Sequence, residues 1–481
     1  MNLRLCIFAC AALAAAVELT VPQSWTDKQL IGFRTPLAGL NKPPQMLPEA
    51  AYYALPENNL KTYPVYSVDK EPPDYIDWLK QQDPKPLVEV DKLHTEADWI
   101  AAGKEVFFGR ELPRFTGSED NLQIIRNPKI MAAYRVQTTS EGIMIGLRYV
   151  VRQKGKVELG TDTCSMCHAQ IHDGKVYAGL PNNYTPFGPL MADLTRRYAQ
   201  ISPQLFDDRR RKFMREDYRV PYLADDPNLA VCDLPADKIA DLYAKVPLGV
   251  YPRNNTSLLY PVKIANLVDV SGYKYFDRTG TSRQRDITDL MRYSGSIADV
   301  SDALTNYGDG ANAHSVLANM GLQKGVYRTP DALLYALALY INSLQGPPNP
   351  NSFDDEARHG QEIFMKTAGC AECHTPPFYS NNKLTLAQGF TPTQEELKEY
   401  GIMNLSVGTD PGLALKTRKG TGFYRVPSLK MLWTNSVFLH DGSVGSLEEM
   451  FNPNRTVKGH PFGLNLNADD RKALVKFLKT L

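Results

Sequence analysis

Cys164-Ser165-Met166-Cys167-His168 and Cys370-Ala371-Glu372-Cys373-His374 are the two stretches on which the reading of this chain turns. Both are Cys-x-x-Cys-His. Two thiols three residues apart on one helical turn can each add to a vinyl group of a haem, and the histidine that follows then falls beneath the iron as its proximal ligand. A zinc site would need further ligands gathered at one centre. Here the motifs stand 206 residues apart, each with its own histidine. A thioredoxin-like redox pair has no use for that histidine. The sequence therefore predicts two covalently bound haem c groups. Cys164, Cys167 and His168 hold the first; Cys370, Cys373 and His374 hold the second.

The rest of the chain narrows the class. It has 481 residues, 54 basic and 53 acidic, for a net charge of +1. Such a balance argues against a nucleic-acid binder that works by bulk charge. Beyond the N-terminus no apolar run approaches the length of a bilayer span, which excludes a multi-pass membrane protein. Residues 1–16 read as a signal peptide: Arg4, then an alanine-rich apolar stretch with small residues at Ala14 and Ala16. The expected location is the periplasm or the medium. Of seven cysteines, Cys6 and Cys10 leave with the signal, four sit in the two motifs, and Cys232 reads as a buried free thiol. Arg209-Arg210-Arg211-Lys212 and Arg215 form a basic cluster. It reads as a solvated helix face that could dock an acidic donor protein.

Two segments repeat. Gly103-Lys104-Glu105-Val106-Phe107-Phe108 matches Gly360-Gln361-Glu362-Ile363-Phe364-Met365, and the stretch from Ala336 to Leu344 matches that from Ala473 to Leu481. Each unit opens with a helix, carries one haem motif and closes with an amphipathic helix, as a cytochrome c domain does. The first closing helix is expected to start at Thr329-Pro330, a cap followed by proline. The second starts near Asn467. The expected fold is mostly α: two cytochrome c-like haem domains in tandem, with long loops. The first spans 96–346 with insertions and the second 355–481, joined by a linker at 347–354. An extension over 17–95 wraps them. Within the first domain, 142–158 reads as a β-hairpin, with Ile143, Ile145, Leu147, Tyr149 and Val151 alternating up to a Lys154-Gly155-Lys156 turn.

The ligand on the far side of each iron decides what a haem does. His460, in Gly459-His460-Pro461-Phe462-Gly463 just before the last helix, is the expected distal ligand of the second iron. The metal ligands expected are thus His168, His374 and His460. His440 reads as a supporting residue near a propionate, and Met450 as core. His460 precedes Ala473 by 13 residues, and the same offset from Ala336 gives Gln323, a poor iron ligand. Met320 and His314 are the fallbacks. On this reading the first haem has an open distal side and the chain is an enzyme, with one iron feeding the other.

Arg425-Val426-Pro427-Ser428-Leu429, then Phe438-Leu439-His440-Asp441-Gly442-Ser443-Val444, then Leu447-Glu448-Glu449, resembles the di-haem cytochrome c peroxidases and the related MauG proteins. The resemblance covers most of residues 100–481. Gly459 to Gly463 and the stretch from Asp286 to Tyr293 look closest to the rubber oxygenase (RoxA-like) branch, whose late distal histidine falls on His460. Asn454 stands where the peroxidases place a methionine, and Phe276 where they place a tryptophan between the haems; Trp433 is a candidate substitute. The resemblance implies a calcium ion between the haems, near Asn254, Asn435 and Val437.

The function expected is an exported di-haem c-type oxidoreductase of the cytochrome c peroxidase type. Electrons pass from a small donor cytochrome or cupredoxin through the second haem, and peroxide or dioxygen is activated at the first. The alternatives are a RoxA-like dioxygenase that cleaves an unsaturated hydrocarbon, and a di-haem electron carrier without substrate. No catalytic side chain can be named from the sequence.

Overall fold

The structure, a computed structural model, describes residues 19–110, 127–160, 163–211, 214–215, 218–252, 257–298, 304–307 and 327–481. Helix α1 (Glu96–Gly109) crosses α2 (Asp331–Asn342), and α3 (Asp355–Glu362) crosses α4 (Ala468–Lys479). The two crossings are built alike. Gly103 lies on the carbonyl of Ala336, where a Cβ would collide with the oxygen and approach Tyr340 Cβ to 2.6 Å. Gly360 lies in the same way on the carbonyl of Ala473, where a Cβ would approach Phe477 Cβ to 2.8 Å. Phe107 meets Tyr340 edge-to-face at 5.5 Å, and Phe364 meets Phe477 edge-to-face at 5.3 Å. Each of these residues has its counterpart in the sequence repeat.

Local signals start the helices. Thr95 and Asp98 form a reciprocal capping box at α1, Asp354 accepts from Ala357 N at α3, and Asn467 accepts from Asp470 N at α4. α2 begins one residue later than expected: Pro330 itself occupies the cap and Asp331 is the first helical residue. After Glu362 the chain widens into a π-helical turn, Ile363–Thr367, which leads to the second motif. Residues 344–354, between the two helix pairs, carry no helix or strand.

The expectation of a mostly α fold is met only loosely. Helices dominate, but six sheets of two or three strands are scattered among the described residues. Long connections buried between helices must still pair their backbone groups, and short local ladders are how they do so. The largest insertion joins β1 (Thr62–Tyr66), β2 (Ile143–Gln153) and β3 (Lys156–Gly160) into an antiparallel sheet in that order. The hairpin of β2 and β3 turns at Lys154-Gly155 as expected, with Gln153 opposite Lys156. The third strand comes from the N-terminal extension, which the sequence reading had only wrapped over the domains. Leu147, Tyr149 and Val151 share the buried face, but Met144 is buried where Ile143 and Ile145 were expected. Gly146, at φ +90°, shifts the phase of the strand there. A Cβ on Gly146 would come within 2.7 Å of Met166 Cα, so β2 runs directly against the first Cys-x-x-Cys-His motif.

Replacing glycine by alanine in an exposed helix interior stabilises a protein by about 1 kcal/mol. Gly360→Ala should reverse that sign. The added methyl meets backbone that cannot move aside, so we expect a loss of roughly 2–3 kcal/mol in denaturant melts. Gly103→Ala should behave in the same way.

Candidate functional site

The first motif forms a single helical turn, Cys164–Cys167, and the amide of His168 donates to Cys164 O at 2.9 Å. His168 Nδ1 lies 2.9 Å from Ala265 O. A carbonyl can only accept, so Nδ1 is the nitrogen that carries the proton. Burial pushes the Cys164 thiol up, with the Arg110 charge pulling it partly back. Four residues on, His172 Nε2 is bonded to Gln170 Oε1 at 2.7 Å, and its ring stands 6.0 Å from that of Trp433. Trp433 therefore borders the hairpin that follows the first motif. Phe276 is instead stacked on Tyr293 in the core around α1 and α2.

The second motif repeats the local geometry. Gly369 turns at φ +64°, Cys370–Glu372 forms a 3-10 turn, and the amide of His374 donates to Cys370 O at 2.9 Å. His374 Nδ1 lies 3.1 Å from Pro427 O and 3.2 Å from Tyr379 O, so it too is the protonated nitrogen. Burial holds this imidazole below its usual pKa, against the pull of the two carbonyls. The ring is thus neutral at physiological pH, the form in which imidazole binds a metal.

Cys370, Cys373 and His374 line a cavity of about 250 Å³, and His460 lines it from the other side. The centroids of His374 and His460 are 6.4 Å apart. Two imidazoles sharing one metal at roughly 2.0–2.1 Å, each through a nitrogen about 1.1 Å from its ring centre, would stand about 6.3 Å apart. The observed spacing suits an iron between them. His460 is fixed in place by its backbone. Its amide donates to Val407 O at 2.5 Å, and Arg455 donates to the carbonyls of Gly459 and His460. Its φ is +48°, after Gly459 at +92°. A Cβ on Gly459 would lie 2.5 Å from Thr409 N, so the loop needs glycine there. His460 Nδ1 is buried without a partner. Burial, with the neighbouring His374 adding to it, pushes the His460 pKa down to about 4. A buried polar atom left unbonded asks for an explanation, and a site awaiting a bound group supplies one.

The cavity wall holds further residues that sequence reasoning did not assign. Lys263, Arg278, Arg425 and Lys430 give it four cations, against Glu372 as the acidic side chain. Tyr424 Oη lies 3.2 Å from His440 Nε2 and donates to Asp410 O at 2.5 Å. His440 itself lines the cavity and its carbonyl accepts from Lys263 N at 2.7 Å. Met450 is buried in the core beneath α4 and also borders the cavity. Arg425 lay within the quoted motif and could have been singled out as a conspicuous charge beside Val426-Pro427. Nothing in the sequence points to Lys263 or to the carbonyl of Ala265.

Several expectations fall outside the described residues: the signal segment 1–16 with Cys6 and Cys10, the fallback ligands His314 and Met320, Gln323, Asn254, Lys212, and the side chains of Arg209 and Arg210. Of the basic cluster, Arg211 pairs with Asp207 and donates to the carbonyls of Cys232 and Leu234, and Arg215 pairs with Asp233. Among the described residues no group of three or more His, Cys, Asp or Glu side chains converges, and no helix is long and apolar enough to cross a membrane.

No protein-family model matches the chain. Over 175 residues it is 28% identical to a cytochrome-c peroxidase, IdrP2, of Pseudomonas sp. (strain SCT), a match covering 30% of this chain and 47% of that protein. Over 154 residues it is 26% identical to a cytochrome-c peroxidase, IdrP1, of Denitromonas iodatirespirans, covering 26% of this chain and 40% of that protein. The chain thus spans less than half the length of the curated relatives it matches. Among solved structures, the hydrazine synthase of Kuenenia stuttgartiensis aligns with 65% of this chain and 98% of its own, at 17% identity and a TM-score of 0.32. A MauG-like protein associated with microbial copper homeostasis aligns with 34% of this chain and 60% of its own, at 16% identity and a TM-score of 0.23. The sequence similarity is to c-type peroxidases.

Cys232 is fully buried, its sulfur donates to Asn228 O at 3.4 Å, and burial pushes its pKa up to about 11. A thiol so placed is both inaccessible and un-ionised at pH 8. Cys232 should take up no iodoacetamide at pH 8 in the native protein and should be alkylated once the protein is unfolded. Mass spectrometry of the native and unfolded protein checks this.

Proposed function

We propose that the chain is an exported di-haem c-type oxidoreductase of the cytochrome-c peroxidase type. The observation that carries the reading is the pair of facing imidazoles, His374 and His460, across a cavity lined by Cys370 and Cys373. The similarity to named cytochrome-c peroxidases supports the same class. On this reading Cys164, Cys167 and His168 hold one haem, and Cys370, Cys373 and His374 hold the other with His460 opposite. A bound haem supplies a one-electron iron centre and, where its sixth position is free, a place for a small oxygen species.

The chain's own residues divide the work. Ala265 O, and Pro427 O with Tyr379 O, keep the proton on Nδ1 of each proximal histidine, which raises the basicity of the opposite nitrogen and fixes the ring. His460, clamped by Val407 and Arg455, closes the second centre to exogenous ligands and suits it to receive electrons from a small donor cytochrome or cupredoxin. The first centre is assigned the reaction with peroxide. A calcium ion between the centres remains part of the reading, carried by resemblance.

EPR and visible spectra of the haem-loaded protein, oxidised and half-reduced, test this. We expect one high-spin and one bis-histidine low-spin signal, with peroxide-dependent oxidation of a reduced small cytochrome. His460→Ala should convert the low-spin signal to high-spin and remove most donor-supported turnover. Two low-spin signals that stay six-coordinate after one-electron reduction would overturn the reading in favour of an electron carrier. Turnover of polyisoprene with dioxygen, and none with peroxide, would overturn it in favour of an oxygenase.

A further inference from the structure

Three basic side chains in the wall of the second cavity, Lys263, Arg278 and Arg425, make no ion pair with a described residue, and only Arg278 feels a nearby carboxylate, that of Asp277. Lys263 is 8% exposed and Arg425 9%. Lys263 Nζ sits 5.5 Å over the ring of Phe438 and makes no ion pair with a described residue. Arg425 Cζ stands 3.6 Å over the ring centre of Tyr273, and its Nη1 donates to Tyr275 O at 3.2 Å. Arg278 Nη2 donates to Ile264 O at 3.3 Å. The Nε atoms of Arg278 and Arg425 are both buried without partners. The two arginines are also tied together, since Arg425 N donates to Arg278 O at 2.8 Å. Asp277, the acid nearest in sequence, is committed to Lys419 at 3.2 Å and to Thr281 and Tyr293.

Burying a basic group without a counter-charge is costly, and neighbours of one sign add repulsion: burial, with Arg278 adding to it, holds the Lys263 ammonium well below its usual pKa. Such a cluster implies an anion of more than one charge. A haem carries two carboxylates on one edge, and this cavity is the one that holds Cys370, Cys373 and His374. We propose that Lys263, Arg278 and Arg425 form the cradle for the two propionates of the second haem. The proposal rests on the reading of the second motif as a haem site.

The cradle has a consequence for the pair of centres. Lys263 and Arg278 belong to the segment before the 344–354 connection, so the second haem's carboxylate edge is gripped from across the boundary between the repeats. Ala265 and Asn266 line the same cavity, and Ala265 O is the acceptor for His168 Nδ1. The short segment 263–266 therefore touches both centres: its lysine and alanine face the second, and one carbonyl holds the proximal ligand of the first.

The test is a spectroelectrochemical titration of the haem-loaded protein. Removing a cation that faces a carboxylate leaves a more negative field, which favours the oxidised iron. Lys263→Met and Arg425→Gln should each lower the midpoint potential of the low-spin centre and shift its propionate bending bands in resonance Raman. Their potentials should also become pH-dependent near neutrality, falling as pH rises, because carboxylates that lose a cation titrate higher. Lys430→Met is the control: it lines the same cavity but is paired with Asp269 at 2.9 Å, and should leave the potential unmoved. Arg425→Lys, which keeps the charge, should hold the potential near the wild-type value even if Lys263→Met fails to mature. Unmoved potentials and bands in Lys263→Met and Arg425→Gln, with two haems attached, would overturn the cradle. A wild-type protein with one attached haem would overturn the parent reading instead, and pyridine haemochrome spectra separate the two cases.

Discussion

Two helices can touch backbone to backbone only where nothing projects between them. Gly103 on Ala336 and Gly360 on Ala473 meet that condition, and the rest of each unit is arranged around the contact. The crossing sets the distance between the opening and closing helices. It brings Phe107 against Tyr340 and Phe364 against Phe477, and it fixes where the chain leaving the opening helix must turn toward its cysteines. In the second unit that turn is short, a π-helical widening that ends at Gly369. In the first, the insertion with its β-sheet intervenes, and Gly146 lets β2 settle on Met166 so that the motif returns to an equivalent place. A long insertion is tolerated because the crossing does not depend on it.

At each motif the same small device then acts on the histidine. A backbone carbonyl takes the proton of Nδ1, and the other ring nitrogen is left as a base. A carbonyl distant in sequence takes part both times, 97 residues away for His168 and 53 for His374, where Tyr379 O, five residues on, shares the proton. The orientation of each histidine therefore depends on the long-range fold. Burial keeps His374 neutral in the same arrangement, so packing, protonation state and ligand geometry are one constraint rather than three.

How much of this was legible in the sequence follows from the range of each interaction. The Cys-x-x-Cys-His motifs, the start of α4 near Asn467 and the Lys154-Gly155 turn are local, and they read directly. The repeat was visible because Gly103 and Gly360 are required by the same steric fact. His460 was found by its position before α4, but its clamp by Val407 and Arg455 was not, because those partners are set by loop folding. The pairing of Thr62–Tyr66 with the hairpin was missed for a similar reason: a strand contributed by an extension has no periodic signal that names its partner. The phase slip at Gly146 is not legible because strict alternation, carried back from Leu147, takes no account of one positive-φ residue that puts the side chains before it out of phase with those after it.

The charge distribution was the least legible feature and ties the two units most closely. A balanced chain conceals local excess. Lys263 and Arg278 are ordinary basic residues in the sequence, and only folding brings them into one wall with Arg425. Burial of these basic groups is costly, since a buried cation gains little from aromatic contact compared with what it loses in hydration. It becomes favourable when the cavity holds a dianionic edge. Because two of the three cations precede the connection between the repeats, seating that edge also draws the repeats together, and it does so through the segment whose Ala265 carbonyl orients His168. The ligand geometry of one centre and the charge balance of the other thus depend on the same few residues.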